Sequence, residues 1–330
     1  MILDFHNHYY PPGFLGALRS DPPSADVRVT EDAAGNPVLH YPGDYNVLVP
    51  GHRDLEVRAR FLQERGVDCQ LLTLTTPGTA FAPPERAVAL ARLVNDELAA
   101  AVQDGGGRFR ALGHLPMRDP AAAAAELERC AVDLGLPGAM VFSNVRGAPL
   151  ADDRFLPVWE TADRLGAVIY IHPTYPLGVE AMRTHMLMPL VGFVADTSLA
   201  AAHLVFAGIP DRFPGVRWVL GHLGGTIPYI AERLDRGFEA FRSCRERLRR
   251  LPSEVLREFY YDTVNFDPAA LRLAIEFAGT DHLVAGSDYP HMIGSMDAML
   301  SSVRGLGLAA GEEAAVLGEN AVRLLGFEGD

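Results

Sequence analysis

The 330-residue chain contains no lysine; all 29 of its basic residues are arginine. That absence excludes a Schiff-base or pyridoxal-phosphate lysine, a phosphate-loop lysine and a carbamylated lysine bridging two metal ions. Coding bias towards arginine is the simplest cause, and the chemical exclusion holds whatever the cause. Positive charge is also short, with 42 acids giving a formal net charge of −13. A phosphate-tracking nucleic-acid binder is therefore not expected. Cysteine is scarce: Cys69, Cys130 and Cys244 are odd in number and widely spaced, as in reduced thiols of a cytoplasmic protein. No run approaches the ~20 apolar residues that span a bilayer. The start, Met1-Ile2-Leu3-Asp4-Phe5, lacks the basic and long apolar stretches of a signal peptide. Neither a membrane nor a secretory route is expected.

What is present is alternation. Eight short apolar runs read as strands: Ile2–Phe5, Cys69–Leu74, Phe109–Leu115, Ala139–Phe142, Ala167–Ile171, Val216–Leu220, Phe259–Asp262 and His282–Ala285. Between them lie helical patterns near Leu55–Arg65, Pro84–Gln103, Pro120–Leu134, Phe155–Arg164, Ile227–Leu234, Pro268–Ala278 and Met296–Val303. The pattern predicts an α/β fold, a single (β/α)8 TIM barrel over residues 1–330. A doubly wound sheet is the rival, but no Gly-x-Gly-x-x-Gly turn follows the first strand. A small insertion after strand one, about residues 10–53, contains a hairpin pattern around Ala34-Gly35-Asn36. A second insertion covers Gly178–Gly208. Both follow strands, so both are expected to overhang the face where such barrels carry chemistry. The last segment, Gly311–Leu325, reads as an outer packing helix.

Histidine and aspartate recur at the strand ends. In Asp4-Phe5-His6-Asn7-His8 the two imidazoles lie two residues apart, so on a strand they face the same way. His172 ends strand five, His222 strand six, and Asp288 follows strand eight. Core packing explains any one of these residues, but not all of them at one end of separate strands. Together they point to a divalent metal site.

On these residues the chain resembles the metal-dependent amidohydrolase superfamily. More closely, it resembles the branch of α-amino-β-carboxymuconate-ε-semialdehyde decarboxylase and γ-resorcylate decarboxylase. The likeness also rests on Asp54-Leu55-Glu56-Val57-Arg58, Leu112-Gly113-His114-Leu115-Pro116, Ile171-His172-Pro173, Gly221-His222-Leu223-Gly224-Gly225 and Gly286-Ser287-Asp288-Tyr289-Pro290. The resemblance implies that His6, His8, His172 and Asp288 ligate one divalent ion, zinc first and manganese second, with no organic cofactor. It makes His222 the acid/base residue, acting with Asp288. Two-metal relatives use a carbamylated lysine, which is absent here, so the centre should be mononuclear. The resemblance further implies a homodimer.

Several residues are weaker candidates. Arg53, His114 and His291 are candidate substrate contacts, Arg53 because a guanidinium can clamp a carboxylate. The decarboxylase relative places a substrate-binding arginine where this chain has Val49, which leaves the substrate open. Arg183 and His185 are pocket or surface residues. Tyr9, Tyr10 and Tyr175 form an aromatic wall or pack the scaffold. Arg236 or Arg242 is a candidate contribution from a second subunit. The expected function is non-oxidative decarboxylation of a small aromatic or unsaturated carboxylic acid. The alternative is a hydrolase or hydratase that uses hydroxide held by the ion on a small carboxylated substrate.

Overall fold

The computed structural model describes residues 1–42 and 44–327. Eight parallel strands carry the fold: β1 (Leu3–His8), β2 (Cys69–Thr73), β3 (in two pieces, Phe109–Ala111 and Gly113–His114), β4 (Gly138–Phe142), β5 (Val168–His172), β6 (Arg217–Leu220), β7 (Tyr260–Asp262) and β8 (Leu283–Val284). All eight coincide with the runs expected from sequence, shifted by a few residues at most. β1 pairs with β2 and β2 with the first piece of β3; the second piece pairs with β4, and the ladder runs on through β5, β6, β7 and β8. Phe5 N donates to Ala285 O at 2.7 Å and His8 N to Tyr289 O at 2.8 Å, which joins β1 to the end of β8. The ring is therefore complete.

Local chemistry sets the helices. Asp54 caps Leu55–Arg65 by accepting from Glu56 N and Val57 N, and Gly66 ends it in the left-handed conformation. Asp119 and Asp267 cap Pro120–Val132 and Pro268–Ala278 in the same way. The expected C-terminal helix is interrupted by a π-helical turn over Ala315–Glu319. Leu3, Phe5, Leu71, Met140, Tyr170, Val219 and Val284 meet inside the ring. Burying each such side chain contributes roughly 1.5–3 kcal/mol.

β1 carries a register shift between Asp4 and Asn7. Strict alternation from the inward Leu3 and Phe5 would turn His6 and His8 away from the barrel. The bulge reverses the phase. His6 and His8 then meet side chains across the ring, while Asp4 and Asn7 face the surrounding layer.

The first insertion holds more structure than its hairpin pattern announced. A helix (Pro12–Ser20) precedes a three-stranded antiparallel sheet of Arg28–Glu31, Pro37–Tyr41 and Asp44–Val47. In the second insertion Met188–Phe206 forms one helical stretch, opening in a π-helical turn, that is long and apolar enough to cross a membrane. The expectation that no run reaches that length is corrected on this point. The stretch is partly buried: Asp196, Thr197 and Ser198 face the protein, while Leu190, Val191 and Leu199 are exposed. Its Phe193 and Met188 meet Tyr41 of the first insertion around a space of about 210 Å³. The two insertions thus close over the same end of the barrel.

Candidate metal centre

Histidine nitrogens from β1 and the ends of β5 and β6 converge with the carboxylate of Asp288 where β1 and β8 meet. His6 Nε2 and His8 Nε2 are 3.1 Å apart. That is the separation two nitrogens take when each sits about 2 Å from one ion. Asp288 Oδ1 lies 3.2 Å from His8 Nε2 and 3.5 Å from His6 Nε2. The donor atoms of His6, His8 and His172 lie within 4.8 Å of one another, as do those of His6, His222 and Asp288. The structure therefore brings together His6, His8, His172, His222 and Asp288, as expected from the strand ends.

Each imidazole is oriented from behind. His6 Nδ1 donates to Asp262 Oδ2 at 2.6 Å, and His172 Nδ1 donates to Pro173 O at 2.7 Å. Those bonds fix the tautomers and leave the Nε2 lone pairs free for a cation. Burial pushes His8 and His172 well below the ordinary histidine range, aided by the neighbouring imidazoles, so both are neutral and able to ligate. Burial opposes charge on His6 too, but Asp262 together with Asp288 and Asp4 favours it, and the net shift is upward. His222 is pushed down to about 4, first by burial and then by His6. Its Nδ1 is buried with no hydrogen-bond partner among the described residues. Three imidazoles, one carboxylate and an orphaned imidazole nitrogen beside them fit a divalent ion with an acid/base group at its side.

The backbone here is strained. His222, Leu223 and Asp288 all adopt left-handed conformations, at φ 52°, 56° and 57°. Such conformations cost free energy and persist at functional sites where the surroundings enforce them. Asp262 enforces the first two, accepting from His222 N and Leu223 N at 3.0 Å each. Gly286 is needed for space, because a Cβ there would sit 2.6 Å from His6 Cβ.

The weaker candidates separate. His291 reaches the cluster: one of its ring nitrogens lies within 4.8 Å of the donor atoms of His8 and Asp288. His291 Nδ1 is 3.4 Å from Nε2 of the buried His52. His114 is buried further round the ring, its Nε2 accepting from Thr79 N at 3.1 Å. It packs against Phe142, which in turn lies against His172. Arg53 is not brought to the centre. Its Nε donates to Leu48 O, and it lines a groove with Arg19 and Glu31 of the first insertion. The residue that does face the site is its neighbour, His52. Arg183 is exposed and paired with Glu180, and His185 is exposed. Tyr9 and Tyr10 are buried in the scaffold core, whereas Tyr175 lines the space between the insertions. Arg236 and Arg242 lie on the surface. Sequence reasoning passed over Asp262, although a carboxylate ending β7 obeys the same strand-end rule that singled out Asp288. It also passed over Phe193, whose ring lies 6.3 Å from His172 and 6.4 Å from His222. No local signal marks that residue.

Comparison with known proteins agrees with this geometry. The family profile described as amidohydrolase matches residues 3–327. The 2-amino-3-carboxymuconate-6-semialdehyde decarboxylase of Dictyostelium discoideum is 33% identical over 279 residues, 83% of this chain and 77% of that protein. Among solved structures, 5-carboxyvanillate decarboxylase from Sphingomonas paucimobilis superposes with a TM-score of 0.88 at 29% identity, covering 99% of each chain. A dihydroxybenzoic acid decarboxylase from Polaromonas sp. JS666, solved with manganese and 2-nitroresorcinol, gives 0.82 at 27% identity over 98% of this chain and 96% of its own.

Proposed function

Because the chain belongs to the amidohydrolase family, and its relatives there are decarboxylases of carboxylated substrates, we propose that it is a metal-dependent non-oxidative decarboxylase of a small aromatic or unsaturated carboxylic acid. The observation that carries the reading is the convergence of His6, His8, His172 and Asp288 beside a neutral His222 whose Nδ1 has no hydrogen-bond partner among the described residues. The overall change is R–COO⁻ + H⁺ → R–H + CO₂, a carbon–carbon lyase reaction.

A divalent ion, when bound, supplies positive charge that orients an acidic substrate and stabilises the negative charge developing as CO₂ leaves. His6, His8, His172 and Asp288 would hold it. His222 delivers the proton to the carbon that loses CO₂; its downshifted imidazole gives up a proton readily once it has one. The insertions carry Phe193 and Tyr41 over the mouth, beside Tyr175 of the segment after β5, where they bind a flat apolar ring and exclude water. His291 and His52 are the nearest further groups for a substrate oxygen, and His114 lines a separate space on the β3–β4 side. Zinc suits the donor set first, and the manganese of the Polaromonas relative makes that ion the second choice. A homodimer is part of the reading, supported by exposed Tyr229 and Phe241 on and beside one surface helix. So is a cytoplasmic location, supported by three unpaired cysteines.

A panel of small carboxylic acids, assayed with metal-loaded protein in water enriched in heavy oxygen, separates decarboxylation from hydrolysis or hydration. CO₂ release with no heavy oxygen in the organic product is the expected result. Labelled product without CO₂ identifies a hydrolase or hydratase instead.

A further inference from the structure

Arg58 is the largest charged side chain buried to zero exposure, and among the described residues no carboxylate pairs with it directly. Its Nε donates to Gly51 O at 2.7 Å; Nη1 donates to Asn7 Oδ1 at 2.7 Å and to Gln70 Oε1 at 2.8 Å; Nη2 donates to His8 O. The guanidinium also lies 5.0 Å from the ring centre of Tyr289. Burying a cation without an acid beside it is costly, so its retention calls for a return. Three of these partners border the metal centre. Asn7 stands between two ligand histidines, His8 is one of them, and Tyr289 follows Asp288.

The contacts continue. Gln70 Nε2 donates to Asp4 Oδ2 at 2.8 Å, and Asp4 accepts from Ser287 N at 2.9 Å and from Ser287 Oγ at 2.6 Å. Asp4 and Asn7 bracket the β1 bulge, and Ser287 leads into the left-handed Asp288. We propose that Arg58 is the positioning residue of the metal centre: through Asn7, and through Gln70, Asp4 and Ser287, it holds the bulge that turns His6 and His8 inward and the turn that presents Asp288.

The role needs a fork rather than a point charge. The planar guanidinium donates in three directions at once, whereas an ammonium on a flexible stem has no fixed geometry. Conservative replacement by lysine should therefore fail.

The inference rests on the metal-centre reading but not on the reaction, so the test reads metal affinity without turnover. Manganese(II) is titrated calorimetrically into chelator-treated protein, with the folded fraction measured in parallel by circular dichroism. Arg58→Met and Arg58→Lys should weaken binding to the folded protein by about 10–100-fold. The exposed Arg60→Met, two residues away on the opposite face of the same helix, should leave affinity unchanged. Added methylguanidinium should restore affinity to Arg58→Ala. If the Arg58 variants do not fold, Ser287→Ala carries the test from the far end of the network, with a loss of several-fold expected. Wild-type affinity in folded Arg58→Met, or in Ser287→Ala, overturns the proposal, because a purely structural arginine would lower stability and leave metal binding untouched. Wild-type protein that binds manganese but releases no CO₂ contradicts the proposed reaction and leaves this inference standing.

Discussion

At Asp262 one carboxylate accepts from His6 Nδ1, Tyr170 Oη, His222 N, Leu223 N and Val264 N. Burial alone would raise its pKa, but the His6 charge and these bonds hold it at about 2. It therefore stays ionised, fixes the His6 tautomer and compensates the strained backbone of His222. His114 shows the opposite economy. It is buried without an acid partner, and burial pushes it down to about 4 from 6.5. Between those values the unfolded chain binds a proton that the folded chain refuses. Stability then rises with pH across this window, and the contribution is lost as pH falls from 6.5 to about 4. The shift corresponds to about 3 kcal/mol. Urea unfolding of chelator-treated protein at both ends of the window should show His114→Gln losing about that much less than wild type on acidification. Equal losses would mean that the folded protein takes up the proton at His114 without penalty.

Among the elements, β1 and the two insertions do most to place the chemistry. The bulge in β1 decides which way the twin histidines face. The helical stretch Met188–Phe206 brings Phe193 against His172 and His222. If Phe193 forms a wall of the substrate pocket, Phe193→Ala should raise KM for an aromatic acid roughly tenfold while metal affinity stays the same. Weakened metal binding at unchanged KM would instead assign the ring to packing the ligands. The strands, most helices and the convergence of five residues were legible from sequence, because periodicity and strand-end position are local properties. The bulge was not, since Asp4 and Asn7 reveal their outward direction only through Gln70, Ser287 and Arg58, each distant in sequence. Arg53 shows the same limit from the other side. Adjacent to His52 in sequence, it turns to Leu48 O while His52 turns to His291. Helical periodicity likewise could not reveal that buried Arg58 sits behind the centre rather than in solvent.

For the whole molecule, ring closure between β1 and β8 matters most, because it sets the candidate ligands His8 and Asp288, some 280 residues apart in sequence, side by side. A chain without lysine cannot bridge two ions by a carbamate, and the donors it does assemble suit one. In the proposed reaction the carbon that loses CO₂ receives its proton at this centre through His222. The most direct measurement is turnover of an accepted acid by metal-loaded protein in deuterium oxide, with CO₂ counted and the product examined by NMR. One deuterium at the vacated carbon per CO₂ is predicted, together with a fall of about 10²–10⁴-fold for His222→Gln that still binds its ion. Full activity in that variant, or a product that keeps its carboxylate and gains water, would contradict it.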